Sequence, residues 1–277
     1  MSQAVHLIKT DKKTAVLYKQ WGMPPSGTVF LLVHGLGAHS GRWDFLARFL
    51  RNNNISSYAL ELRGFGETKG PRGHIQSFKT YYKDICRIYD IIREENPESK
   101  VYLTGESLGA LICFLAVTRV PDMFDGLVCI SPAFASTLKF SKLDYIRIFS
   151  ALLYDPQKQF DVPFTSEMCT RDEEYRHVLN SDSREHRVAT AGMLSGILAA
   201  QFLARMRKGS IVKRVLFLIA GMDKLVDTEV SKQIFRGLKA KDKTIIEYPE
   251  MFHSLSVELG REKVFEDILA WARMNNA

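Results

Sequence analysis

The chain has 277 residues, 46 % hydrophobic and 25 % charged, which suits one large globular domain or two small ones and excludes a disordered chain. Its formal charge is +7, yet outside 205–214 the basic residues are dispersed. With no aromatic-interleaved basic stripe and no finger spacing, no nucleic-acid partner is expected. No apolar run reaches the roughly 18 residues of a spanning helix, and the first ten residues lack the apolar region of a signal peptide.

Residues 5–21 alternate around a Thr10-Asp-Lys-Lys13 turn and read as an antiparallel hairpin. Val29 to Val33 is a continuous apolar run, the mark of a strand buried on both faces, and it ends in His34-Gly35-Leu36-Gly37. Helical spacing follows over Trp43 to Leu50, a strand over Ile55 to Leu62, and an amphipathic helix from Phe78 to Arg93 closed by Asn96-Pro97. Val101 to Leu103 is β-prone and stops at Gly105; a helical pattern starts at once behind Ser107. Leu127 to Ile130 is a further buried strand, ended by Ser131-Pro132. From 133 to 208 the rhythm changes to a helical, loop-like stretch rich in Phe, Tyr and Met, with no strand expected. Val215 to Ala220 then reads as a strand, Val230 to Leu238 as a helix, Thr244 to Tyr248 as a strand, and Val257 to Met274 as a closing amphipathic helix. Cys86, Cys113, Cys129 and Cys169 show no ligand spacing; three lie in apolar elements and read as reduced core cysteines.

Strands alternating with helices predict a mostly parallel sheet with helices on both faces. Ligands of such sheets sit outside the carboxyl ends of the strands. His34, Ser107, Asp223 and His253 all lie at such ends. Gly105-Glu-Ser-Leu-Gly109, between strand and helix, has the G-x-S-x-G form of a nucleophile elbow. A serine hydroxyl needs a base, and the base an orienting carboxylate, in the chain order serine, acid, histidine. Of the seven histidines, only His253 follows a strand-end acid. Asp223, directly behind its strand and Gly221, is favoured as that acid; Asp227 could as well cap the helix that starts near Thr228. The backbone N–H groups of Leu108 and Leu36 are the expected oxyanion donors, with His34 bracing the loop that carries Leu36. Neither a metal cluster nor a phosphate-binding glycine loop occurs, so no metal and no cofactor is expected.

The motifs together resemble the monoacylglycerol lipase and lysophospholipase group of α/β-hydrolases through nearly the whole chain. His34-Gly-Leu-Gly-Ala-His-Ser-Gly-Arg-Trp-Asp44 is similar to that group's oxyanion loop, and Leu62-Arg-Gly-Phe-Gly-Glu-Thr-Lys-Gly-Pro-Arg-Gly73, continued by Ile75-Gln-Ser-Phe78, to its next strand-end loop. Gly105 to Gly109 resembles its elbow, Gly221-Met-Asp-Lys-Leu-Val-Asp227 its acid loop, Tyr248-Pro-Glu-Met-Phe-His253 its histidine loop, and Thr170-Arg-Asp-Glu-Glu174 part of its cap. The chain departs from the group's pattern at Glu106, where many members have His, at Ala38, where Glu is usual, and at Ser256, where some place a second His. Arg42 is retained.

The resemblance implies an α/β-hydrolase fold with a mostly parallel eight-stranded sheet. Residues 1–132 and 209–277 would form the core, with 133–208 inserted as a helical cap. It implies a serine ester hydrolase for single-chain acyl esters, with Ser107, Asp223 and His253 catalytic. Arg42, Phe134 and Phe160 are expected to touch substrate. Small-ester or cinnamoyl-type esterases and thioesterases share the triad, and a ligand receptor could retain the fold. The expected partners are an acyl ester or lipid and, through the cap, a membrane surface; the expected location is cytoplasmic, peripheral to membrane. Oligomeric state is not readable from the sequence.

Overall fold

The computed structural model describes residues 4–9 and 15–274. Among the described residues its central sheet has, side by side, Ala4–Lys9, Ala15–Trp21, Ser56–Leu60, Thr28–Val33, Lys100–Glu106, Gly126–Ile130, Arg214–Ala220 and Lys243–Tyr248. The first elements in chain order are β1 (Ala4–Lys9), β2 (Ala15–Trp21), β3 (Thr28–Val33), α1 (Asp44–Asn52) and β4 (Ser56–Leu60). Next come α2 (Phe78–Glu95), β5 (Lys100–Glu106), α3 (Leu108–Val117) and β6 (Gly126–Ile130). β1 pairs antiparallel with β2, and β2 with β4; the remaining pairs are parallel. The hairpin's turn, Thr10 to Lys13, lies outside the described residues.

Between β6 and β9 (Arg214–Ala220) the chain forms α4 (Lys142–Tyr154), β7 (Gln159–Asp161), α5 (Ser166–Cys169), α6 (Glu173–Ser181), β8 (Val188–Thr190) and α7 (Ala191–Arg207). β7 and β8 make a two-stranded antiparallel ribbon, so this stretch is not strand-free as expected. Three residues per strand are too few to show a period of two. α7 is longer and reaches back onto the body: Ala200 and Ala204 are buried in the main core beside α3. α8 (Thr228–Arg236), β10 (Lys243–Tyr248) and α9 (Arg261–Arg273) complete the chain.

β3 is buried along its whole length, and its alternate residues feed two cores. Val29, Leu31 and Val33 meet α2 and α3 on one face; Phe30 and Leu32 meet α1 and α9 on the other. α3 is buried at all ten positions, since the sheet, α2 and α7 cover its circumference. α9 begins four residues later than the apolar pattern suggested. Leu255 and Val257 are buried in a separate 3₁₀ turn, and Gly260 at φ +80° breaks the chain before α9.

The register sets the site. Val33 pairs with Gly105, Glu106 with Ile130, Ile130 with Leu218, and Ala220 with Tyr248. Five strands therefore end at one edge, from which the loops starting at His34, Ser107, Ser131, Gly221 and Pro249 emerge. No helix among the described residues is long and apolar enough to cross a membrane.

Candidate active site

Ser107 stands between β5 and α3 at φ +57° and ψ −120°. A non-glycine residue held there costs about 1–3 kcal/mol, which the surroundings must offset. Its N–H donates to the Ile130 carbonyl at 2.9 Å, and its own carbonyl accepts from Leu111 and Ala133, both at 3.2 Å. A Cβ on Gly109 would collide with the Val33 carbonyl oxygen, and one on Gly105 with the Gly109 backbone. Only glycine lets α3 cross the sheet so closely, and that crossing aims the first turn of the helix, with its partial positive charge, at the serine.

His253 is buried in the loop after β10, and its Nδ1 lies 2.7 Å from Asp223 Oδ2. A carboxylate only accepts, so Nδ1 carries the proton and Nε2 presents its lone pair. Asp223 is itself fixed: Oδ1 accepts from the backbone N–H of Leu225 at 2.8 Å and Val226 at 3.0 Å. Burial by itself would lower the His253 pKa. The charge and hydrogen bond of Asp223, with a further contribution from Glu106, outweigh it and leave the imidazole more basic than the usual 6.5. Asp227 takes the other role open to it: Oδ1 accepts from Glu229 at 3.0 Å and Val230 at 3.2 Å, capping α8.

Leu36, Leu108, Ser107 and His253 line one cavity of about 450 Å³. Neither the Leu36 nor the Leu108 N–H makes a backbone hydrogen bond among the described residues. His34 braces the Leu36 loop from below, its Nδ1 2.8 Å from the Gly35 carbonyl and its Nε2 accepting from Leu62 N–H at 3.0 Å. Burial pushes His34 down to about 4, so it is neutral and keeps both bonds. From the β6–β9 segment, His186 N–H donates to the Gly37 carbonyl at 3.1 Å, and its ring stacks on Phe65.

Arg42 also reaches the cavity and is buried against Glu185, to which Nε and Nη2 donate at 3.1 and 2.7 Å. Glu185 had no motif to mark it; it sits in the charged run Asp182 to Arg187, which reads as a solvated loop. The two expected aromatic contacts are corrected. Phe134 is fully buried between Phe114 and Phe217, with ring centroids at 4.9 and 5.8 Å. It follows β6 so closely that it falls under α3 rather than over the site. Phe160 packs with Ile148, Ala151 and Ala191 inside the β6–β9 segment. Neither lines the cavity, whose apolar walls instead come from Phe140, Ile148, Leu152, Phe164, Leu194 and Leu198. The helical spacing of Ile148 with Leu152, and Leu194 with Leu198, was the available signal.

An elbow serine at a parallel strand's end, with a carboxylate-bound histidine lining the same cavity, defines an α/β-hydrolase. The chain belongs to the serine aminopeptidase S33 family, which it matches over residues 24–260. It is 27 % identical to the monoglyceride lipase of Homo sapiens, over 98 % of this chain and 91 % of that one. Phospholipase YtpA of Bacillus subtilis is 25 % identical, over 89 % of this chain and 95 % of its own. Among solved structures, the monoacylglycerol lipase of Paleococcus ferrophilus superposes with a TM-score of 0.84 at 26 % identity, covering 92 % of this chain and 97 % of that one.

Proposed function

We propose that the chain is a serine ester hydrolase of the monoacylglycerol lipase type, and that residues 133–208 cap its acyl-binding cavity. Ser107 Oγ attacks the ester carbonyl while His253 Nε2 takes its proton; Asp223 holds the imidazole in the right tautomer and stabilises the imidazolium. The N–H groups of Leu36 and Leu108 receive the oxyanion. His253 returns the proton to the leaving alcohol, and water then releases the acyl group from Ser107.

The observation that carries this reading is the cavity itself, lined by Ser107 and His253 together with apolar side chains of α4 and α7. Such a wall suits one acyl chain. A second, polar cavity of about 250 Å³ shares Arg42, Phe164 and Cys169 with the first and adds Asn180, Asp182 and Glu185, which suits a hydroxylated leaving group. The resemblance puts a Glu where this chain has Ala38, so head groups other than glycerol should also turn over. The test is kcat/KM on monoesters from C2 to C16, kept below their micelle concentrations. Each CH₂ buried contributes about 0.8 kcal/mol, so the profile should rise by up to about fourfold per carbon until the cavity is full. A flat or falling profile above C4 would favour a small-ester esterase instead.

The reading includes a membrane-facing cap. On α4 and α7, Ile146, Leu153 (90 % exposed), Tyr154, Phe202 (62 % exposed) and Met206 are exposed, as are Phe149 and Leu198, which also line the cavity. Exposed apolar side chains on the two helices that line the cavity suit a lipid–water boundary, where a single-chain ester resides. Leu153→Asp with Phe202→Asp should reduce co-sedimentation with phosphatidylcholine vesicles several-fold while leaving hydrolysis of a short dissolved ester intact; unchanged sedimentation would remove the membrane from the proposal. The four free cysteines support a reducing, cytoplasmic location.

A further inference from the structure

Resting on the serine-hydrolase reading, we propose that Glu106 is a second carboxylate for His253: through Ser256 it ties the histidine loop to the nucleophile elbow, and its charge stabilises the imidazolium that forms as Ser107 reacts. Glu106 is the last residue of β5 and directly precedes Ser107, so the sheet fixes its backbone. Its side chain is buried and reaches the cavity. Both oxygens are held by one residue of the opposite loop. Oε1 accepts from the Ser256 backbone N–H at 3.0 Å, and Oε2 from the Ser256 hydroxyl at 2.9 Å. Ser256 lies three residues beyond His253 in the 3₁₀ turn Leu255–Val257. One side chain thus spans the residue before the nucleophile and the turn behind the base, setting the distance between two loops that otherwise come from separate strands.

The electrostatics point the same way. His253 is faced by Asp223 from the loop after β9, Glu106 from β5 and Arg42 from the 3₁₀ turn before α1. Arg42 opposes imidazolium formation, but Glu185 takes both its Nε and Nη2 and offsets its charge. Two other titratable groups near Glu106, Cys169 and Tyr175, are neutral around pH 7, because burial pushes them up to about 11 and about 12. When ionised, Glu106 adds a negative charge beyond Asp223 within a site shielded from water, where a fixed charge acts strongly. Burial raises the Glu106 pKa; the two Ser256 donors, Arg42 and His253 oppose that rise by favouring the ionised form.

The test compares wild type, Glu106→Gln, Glu106→Asp and Ser256→Ala on a short dissolved monoester from pH 5 to 9. Glu106→Gln keeps the shape and removes the charge. A histidine relieved of a nearby anion is less basic, so the acid limb of kcat/KM should move to lower pH by at least about half a unit. Its plateau kcat should fall by about tenfold with KM little changed, as expected when a transition-state interaction is lost. Glu106→Asp keeps the charge and should retain the wild-type acid limb at a reduced rate. Ser256→Ala keeps the charge and the backbone N–H and should lose several-fold in kcat without moving the limb. Coincident acid limbs for wild type and Glu106→Gln would overturn the proposal. Should Glu106→Gln fail to fold, the wild-type His253 ring decides by NMR titration: two inflections, from its own proton and that of Glu106, are expected, and a single inflection refutes the coupling. Fluorophosphonate labelling of Ser107 in wild type separates the two levels. If Ser107 labels and the limbs coincide, only the role of Glu106 falls; if it does not label, the serine reading falls and this inference with it.

Discussion

Ser107→Ala should lose on the order of 10⁶ in kcat on any ester the wild type hydrolyses, with KM nearly unchanged. In the proposed mechanism the hydroxyl forms the acyl-enzyme, and no neighbour on the cavity wall is suited to replace it. Glu106 is tied to Ser256, and Cys169, a thiol on the cavity wall, has its pKa pushed up to about 11 by burial, so it is a poor nucleophile at neutral pH. The fold should not suffer. Alanine keeps the Cβ, and the hydrogen bonds of residue 107 to Ile130, Leu111 and Ala133 are all made by its backbone. Steady-state kinetics with purified variant, alongside a thermal melt, check both halves. Esterase activity within tenfold of wild type in a folded protein would remove Ser107 from the mechanism.

Asp223→Asn should cost about 10³–10⁴ in kcat. The native carboxylate serves two masters: Oδ1 holds Leu225 and Val226, and Oδ2 holds His253. An asparagine can keep its carbonyl on the two backbone N–H groups, but it then turns an NH₂ toward Nδ1. That donor stabilises the tautomer with Nε2 protonated, leaving no lone pair for the Ser107 proton. Asp227→Asn gives the opposite outcome. Asparagine caps a helix as well as aspartate does, so α8 and the activity should both survive within about twofold. The pH profile adds a check on wild type. His253 must be neutral to act as base, and its pKa is held above 6.5, so kcat/KM should fall as pH drops through a value above 6.5. A profile flat down to pH 5.5, or the reverse ranking of the two aspartates, would refute the assignment.

How much of this could be read without coordinates varies with the kind of contact. The strands of the core announce themselves because burial on both faces demands unbroken apolar runs such as Val29 to Val33 and Val215 to Ala220. Their loops could be compared because a parallel sheet sends them all to one edge, and chain order then separated His253 from the other histidines. Asp223 and Asp227 differ in distance from the strand end; the first reaches His253 and the second caps α8. The side-chain pairs that join distant loops were not legible. Arg42 and Glu185 are 143 positions apart, and Glu106 and Ser256 are 150 apart. Nothing periodic links such partners; they meet only when the fold brings their loops together. Phe134 illustrates the reverse difficulty. An aromatic in an irregular stretch reads equally as lining or filling, and two residues of chain after Ser131-Pro132 place it in the core.

The most direct measurement on Ser107 as nucleophile is the mapping of a fluorophosphonate adduct by peptide mass spectrometry. A single adduct on the peptide carrying Ser107 is expected. Its rate should fall on the acid side with the protonation of His253, drop steeply in Asp223→Asn, and vanish in Ser107→Ala. An adduct on any other residue, or one that persists in Ser107→Ala, would contradict the catalytic assignment.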